Sequence, residues 1–264
     1  MSERTKSNKP LLLLNIGNTR TQIALWRGEK MRVLDTPGTE SWLDAGAPMP
    51  DGIAAHETLQ CFAACVVPRA RVILRQQFEA DQLSFMDANL AGGMLDFSQV
   101  DPHTIGADRI ANAAAVVALG LIPAVIVDCG TAVTLEVIDA EGRFLGGAIL
   151  PGRALQRRAL HRHTGQLPEV AMAQDLIVPP GRDTASAIRF GVDNGLLGTV
   201  EHLIGESLLA LADEDGDGEN NAPPVNVLCT GGDAEFFCRH VPILRHAPEN
   251  LTLRGLAAIA GGLV

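Results

Sequence analysis

Lysine is almost missing from this chain: Lys6, Lys9 and Lys30 are the only ones, although arginine occurs throughout the 264 residues. A P-loop needs the lysine of G-x-x-x-x-G-K-[ST], and a protein kinase needs a strand lysine on the phosphates, so two large classes of nucleotide enzyme are excluded. Any ATP bound here must be held by glycine backbone and hydroxyl groups. Cysteine is sparse as well. Cys61, Cys65, Cys129, Cys229 and Cys238 are odd in number and form no C-x-x-C pair, which argues against a disulfide framework or a zinc site and for a reducing cytoplasm. The apolar run Leu11 to Leu14 is too short for a signal sequence or a membrane span. Positive charge is short too. A formal net charge of -10 repels nucleic acid and anionic membrane, so neither is expected as a partner and a small-molecule ligand is.

What is present describes a soluble globular chain, 47% apolar and 20% charged, long enough for one large domain or two modest ones. Residues 1–10 are expected to be a disordered tail. The run Leu11 to Leu14 has the length of a buried strand and leads into Asn15-Ile-Gly-Asn-Thr19, with a second strand over Thr21 to Trp26. The same grammar returns downstream: Ala124 to Val127, then Asp128-Cys-Gly-Thr131, then an alternating strand from Val133 to Ile138, a turn at Asp139 to Gly142 and a strand over Arg143 to Leu150. Two copies of one unit imply two similar α/β lobes, divided as 11–120 and 121–264. Between the copies a strand is expected at Leu59 to Val67, a helix at Arg69 to Asp81 and another at Arg109 to Leu119. Apolar positions from Ile188 to Leu211 recur at helical spacing and predict one or two long packed helices. Asp213 to Asn221 begins like a calcium loop, but Pro224 stands where the bidentate Glu is required, so it reads as a solvated acidic loop. A strand over Val225 to Leu228, a turn at Thr230-Gly-Gly-Asp233 and a short helix over Leu251 to Ala260 close the chain.

Three glycine turns follow strands, at Gly17-Asn18-Thr19, Gly130-Thr131 and Gly231-Gly232. Such turns bring backbone N–H groups up to phosphates because no side chain obstructs them. Phosphoryl transfer also needs a carboxylate near the acceptor hydroxyl, and Asp108 and Asp128 are the candidates. For Asp108 two readings stand, an N-cap beside a solvated arginine or the proton acceptor. For Asp128, at the end of a buried strand, they are a turn cap or a carboxylate facing a cation.

The ordered set Asn15-Ile-Gly-Asn-Thr19, Gly106-Ala-Asp-Arg109, Asp128-Cys-Gly-Thr-Ala-Val-Thr134, Gly146-Gly-Ala-Ile-Leu-Pro-Gly152 and Thr230-Gly-Gly232 resembles the motifs of type III pantothenate kinases, within the actin-like and sugar-kinase superfamily. Leu160-His-Arg-His-Thr164, Asp183-Thr184 and Leu253-Arg-Gly-Leu256 are similar to that family's intervening segments. The resemblance implies two duplicated ribonuclease-H-like lobes with mixed sheets around a nucleotide cleft. It implies transfer of the γ-phosphate of ATP to pantothenate, the first step towards coenzyme A, by a homodimer using Mg²⁺ and a monovalent cation, K⁺ or NH₄⁺. By motif position it makes Asp108 the base, with Gly106, Ala107, Arg109 and Thr184 on pantothenate and Asp128 on the monovalent cation. Asn15, Gly17, Asn18, Thr19, Gly130 and Thr131 line the phosphates, while Gly231 and Gly232 lie near the adenosine. The chain departs from the pattern twice. It has no tyrosine, so Phe97 is the candidate to replace a tyrosine contact with pantothenate. Asn15 stands where the family begins with Asp, keeping one oxygen for Mg²⁺ or its water but removing a full charge. Two outcomes follow, an active kinase or a weak or inactive homologue with a ligand-binding role.

Overall fold

Leu12, Leu13 and Leu14 are fully buried because the strand that carries them, β1 (Leu11–Ile16), lies in the middle of a sheet. The computed structural model describes residues 10–27, 30–50, 53, 59–214 and 223–261. The expected tail, apart from Pro10, and the acidic loop beyond Glu214 lie outside the described residues.

In the first unit β1 pairs antiparallel with β2 (Thr21–Arg27), and β2 antiparallel with β3 (Lys30–Asp35). On its other side β1 pairs parallel with β4 (Gln60–Cys65), which pairs parallel with the short β5 (Leu83–Phe85). The order is β3-β2-β1-β4-β5. Alternate residues of β1, β2 and β4 join α1 (Thr39–Asp44) and α2 (Pro68–Gln77) in one apolar core that includes Trp42 and Leu74. The helix expected at Arg69 to Asp81 thus starts one residue earlier, because Pro68 suits the first helical turn, and stops at Gln77. α3 (Ala88–Ala91) and α4 (Ala107–Ala118) follow.

The second unit repeats the plan. β6 (Ala124–Cys129) pairs antiparallel with β7 (Ala132–Ile138), β8 (Phe144–Pro151) lies beside β7, and β6 pairs parallel with β9 (Asn226–Thr230), which is flanked by β10 (Arg245–His246). The order β10-β9-β6-β7-β8 is the first sheet's order read from the other edge. In both, the first three strands are adjacent and the fourth runs parallel to the first, so the duplication read from the sequence is a duplication of topology. The intervening helices are α5 (Arg153–His163), α6 (Thr184–Glu214) and α7 (Ala234–His240). α6 is a single helix of 31 residues. By length and composition it could cross a bilayer, but Val192, Leu196, Val200 and Ile204 lie in the core of this unit with Phe236 and Phe237.

The chain then returns to the first unit with α8 (Leu251–Ile259). That unit comprises the residues up to 122, 142–144 and those from 250 onward, a crossing that a single division after residue 120 does not describe. The helix packs on α4, whose face is Ala111, Ala114 and Ala115, all fully buried. A Cβ on Gly255 would fall inside contact with the Ala111 carbonyl, so the close approach requires glycine there. A buried hydrogen bond from Thr252 Oγ1 to Asn112 Oδ1, 2.8 Å, fixes the register between the two helices.

Candidate active site

In the first unit the β1–β2 turn is held from outside by one threonine. Thr39 Oγ1 donates to the Gly17 carbonyl at 2.7 Å, and Thr39 N donates to the Thr19 carbonyl at 2.9 Å. Gly17 N closes the turn on the Arg20 carbonyl at 3.1 Å, which leaves Asn18 and Thr19 exposed at the tip. Asn15, half-buried at the end of β1, faces Gln22 across the ladder, and its Nδ2 donates to Gln22 Oε1 at 3.0 Å. Gln22 Nε2 in turn reaches Asn250 Oδ1 at 3.5 Å. The residue that stands in place of an acid is therefore one end of a chain of amides.

A second group sits at the start of α4. Gly106, not Asp108, is the N-cap, and Asp108 is the second residue of the helix. Its carboxylate folds back so that Oδ1 accepts from Arg109 N at 2.9 Å and lies 2.6 Å from where a Cβ on Gly106 would stand. Glycine at 106 is what gives the carboxylate room. Ala107 is buried and anchors the turn. The Arg109 guanidinium lies 5.7 Å from the ring centre of the buried Phe144, and Phe97 packs on the same ring at 6.0 Å. Phe144 is a candidate site residue that the motif reading missed; its sequence signal was its place after the Gly142 turn.

In the second unit three glycine segments come together at the ends of β6 and β9. Gly130 N donates to the Ala132 carbonyl at 3.0 Å, and Asp233 N to the Cys129 carbonyl at 2.9 Å. Gly152 N donates to the Thr131 carbonyl at 2.9 Å, and its Cα is pressed against the Gly130 carbonyl so closely that a Cβ could not fit. Gly231 has φ +93°, and a Cβ there would meet Asp128 Oδ1 at 2.5 Å. Asp128 is thus seated on the glycine turn, as Asp108 is on Gly106. Gly232 is open, with nothing within 4 Å of a Cβ position.

Thr184 opens α6 behind Asp183, which receives the Ser186 N–H at 2.9 Å and whose pKa is lowered by that bond. Thr184 lines a cavity of about 740 Å³ with Leu160, Leu167, Arg182 and Ile188. Behind Gly152 lies a buried ionic cluster that no motif announced. Asp193 Oδ1 receives Arg153 Nε at 2.9 Å, and both Asp193 oxygens receive Arg157 Nη2 at 2.8 Å. Burial raises the pKa of Asp233, against the pull of Arg153 and Arg157 and with a push from Asp193. The signal for this cluster was two arginines four apart on α5 and one aspartate within an apolar stretch of α6. No group of three or more His, Cys, Asp or Glu able to hold a metal occurs among the described residues.

Comparison with known proteins bears on the family and the fold. Residues 11–206 match the family model of type III pantothenate kinase. A type III pantothenate kinase of Chlorobaculum parvum is 34% identical over 93% of this chain and 92% of its own length. One from Rhodospirillum centenum is 32% identical over 94% and 97%. Among solved structures, a Baf family protein from Campylobacter jejuni, described as a transcriptional activator, superposes with TM-score 0.61 at 20% identity, covering 95% of this chain and 98% of its own. A 2-dehydro-3-deoxygalactonokinase protein of Sinorhizobium meliloti gives TM-score 0.53 at 15% identity over 95% and 98%, and MreB 5 of Spiroplasma citri bound to AMPPNP gives 0.51 at 11% over 97% and 97%. The last three carry the fold, that of actin-like and sugar-kinase ATPases.

Proposed function

The chain belongs to the type III pantothenate kinase family, which phosphorylates pantothenate with ATP on the way to coenzyme A, and we propose how its residues divide that work. The observation that carries the reading is Asp108 folded over Gly106 at the start of α4. Asp108 Oδ1 is engaged by the Arg109 N–H, so Oδ2 is the oxygen we assign to the acceptor hydroxyl, whose proton it takes or orients as the phosphoryl group departs. Arg109, backed by Phe144 and Phe97, suits the carboxylate end of pantothenate. Gly106 and Ala107 shape the same turn, Phe97 stands in for a tyrosine, and Thr184 contacts pantothenate. The pinned turn of Gly17, Asn18 and Thr19 and that of Gly130 and Thr131 offer N–H and hydroxyl donors to phosphate oxygens. Gly231 and Gly232 face the adenosine.

Mg²⁺ bound with ATP supplies charge neutralisation on the phosphates. Such an ion keeps most of its waters and arrives on the triphosphate, so it needs few protein ligands. The Asn15 oxygen would meet that ion or its water, and Asp128 would hold K⁺ or NH₄⁺. A cytoplasmic homodimer completes the proposal, supported on the side of compartment by five unpaired thiols. The test is release of ADP that depends on pantothenate, Mg²⁺ and K⁺. Asp108→Asn should lower kcat by roughly 100-fold or more with KM for ATP little changed; full turnover in that variant would sink the assignment.

A further inference from the structure

We propose that Arg153 is a positioning residue for the nucleotide, coupling the Gly130-Thr131 turn to the Thr230–Asp233 turn. The idea rests on the assignment of those turns to ATP above. Arg153 is the first residue of α5, directly after Gly152, whose backbone is locked to Thr131 and Gly130. Its side chain is 0% exposed. Nε donates to Asp193 Oδ1 at 2.9 Å and Nη2 to the Ala173 carbonyl at 2.5 Å, while the guanidinium carbon lies 3.4 Å from the ring centre of Phe236 on α7. The remaining nitrogen, Nη1, has no hydrogen-bond partner and stands 3.8 Å from Asp233 Oδ1.

Charge decides what that nitrogen is for. Asp193 is shared by Arg153 and Arg157, so one buried carboxylate serves two buried cations. Asp233, with 20% of its side chain exposed, is the carboxylate that faces the surplus. Buried ion pairs contribute little net stability, because desolvation offsets their attraction, but removing one partner is costly. A cluster of this kind fixes position more than it adds stability. Asp233 also donates its N–H to the Cys129 carbonyl, next to Asp128, and Gly231, two residues before it, is the surface on which Asp128 rests. Through its side chain Arg153 therefore holds one glycine turn, and through its backbone neighbour the other.

The test uses Asp233→Asn, which keeps size and removes the charge, with Arg153→Met and Arg153→Lys, and Gly231→Ala as a reference for the turn itself. KM for ATP, KM for pantothenate, kcat and thermal midpoint are measured on each, with calorimetry of a non-hydrolysable ATP analogue. Asp233→Asn and Arg153→Met are expected to raise KM for ATP about tenfold, leaving KM for pantothenate within about twofold and Asp233→Asn with an unchanged melt. Arg153→Lys should recover only part, since an ammonium cannot serve Asp193, Ala173 and Asp233 at once. If Gly231→Ala weakens ATP binding while Asp233→Asn and Arg153→Met do not, the coupling is wrong and the nucleotide assignment stands. If none of the three changes ATP binding, the turn is not a nucleotide turn and both readings fall. Parallel losses in both KM values with a lowered melt in Asp233→Asn would make the cluster merely structural and overturn the proposal.

Discussion

Gly106→Ala isolates the placement of a single carboxylate. At Gly106 the backbone has φ -61° and ψ 142°, a conformation open to any L-residue, so the added methyl strains no dihedral. What it meets is Asp108 Oδ1, 2.6 Å away, where ordinary contact begins at 3.4 Å. The carboxylate must retreat by roughly 0.8 Å to restore van der Waals separation. A displacement of about 1 Å from reacting geometry costs on the order of 100-fold in rate, so kcat should fall roughly 30- to 100-fold. KM for ATP should hold, since the glycine turns assigned to phosphate are untouched, and Asp108 is half-buried, so the fold can absorb the rotation with little change in melting temperature. Coupled measurement of ADP release at saturating ATP and pantothenate, with a thermal melt on the same preparation, decides the matter. A variant that melts like the parent and retains kcat within about twofold would refute the claim that Asp108 works from this seat.

Asn15→Asp should raise kcat by roughly 100-fold and lower the Mg²⁺ concentration needed for half-maximal rate, by the analogy of restoring one preorganised electrostatic contact. The amides of Gln22 and Asn250 can reverse to donate towards the new carboxylate, so the melt should not move; unchanged Mg²⁺ dependence would show that residue 15 is remote from the metal. Gly255→Ala should destabilise by about 3 kcal/mol, a fall of roughly 6–12 °C, because its methyl has no space at the Ala111 carbonyl; scanning calorimetry checks this, and an unchanged transition would contradict the α4–α8 packing. Burial raises the thiols of Cys61, Cys65 and Cys129, and pushes Cys238 up to about 12. These four thiols should therefore react slowly in native protein at pH 8 in a colorimetric titration, and all five cysteines should react once denatured.

The elements visible in the sequence were those whose burial is local. β1 and β6 announced themselves because a central parallel strand is apolar on both faces and each ends in a glycine turn. Edges were harder to see. β3 carries Lys30, Arg32 and Asp35 and is mostly exposed, the charged composition that keeps an edge strand from pairing further and that erases the alternation by which a strand is recognised. β5, three residues long, is below any periodic signal. The return of α8 to the first unit was invisible for another reason, since periodicity tells which face a helix buries and not against what. The alanine run of α4 and the glycine at 255 were both legible, but their complementarity needed the coordinates. Buried ions were least legible: Arg153 and Arg157 look like a solvated helix face until Asp193, on another helix, is placed between them.

The scarcity of lysine now has a structural counterpart. In each unit an aspartate is seated against a glycine Cα, Asp108 on Gly106 and Asp128 on Gly231, so the position of the carboxylate is set by the space a missing side chain leaves. An arrangement with a lysine reaching over the phosphates brings its own mobile charge to the site. Arg153, directly after Gly152, is wholly buried and already bonded to Asp193 and Ala173. In our proposal it acts on the nucleotide by holding the turns assigned to it. In the proposed site Arg109 serves the pantothenate end, metal ions arriving with the substrate neutralise the phosphates, and the protein adds backbone and hydroxyl donors and two placed carboxylates. Glycines 106, 152 and 231, which border the proposed site, have no room for a side chain, as Gly181 and Gly255 also have none.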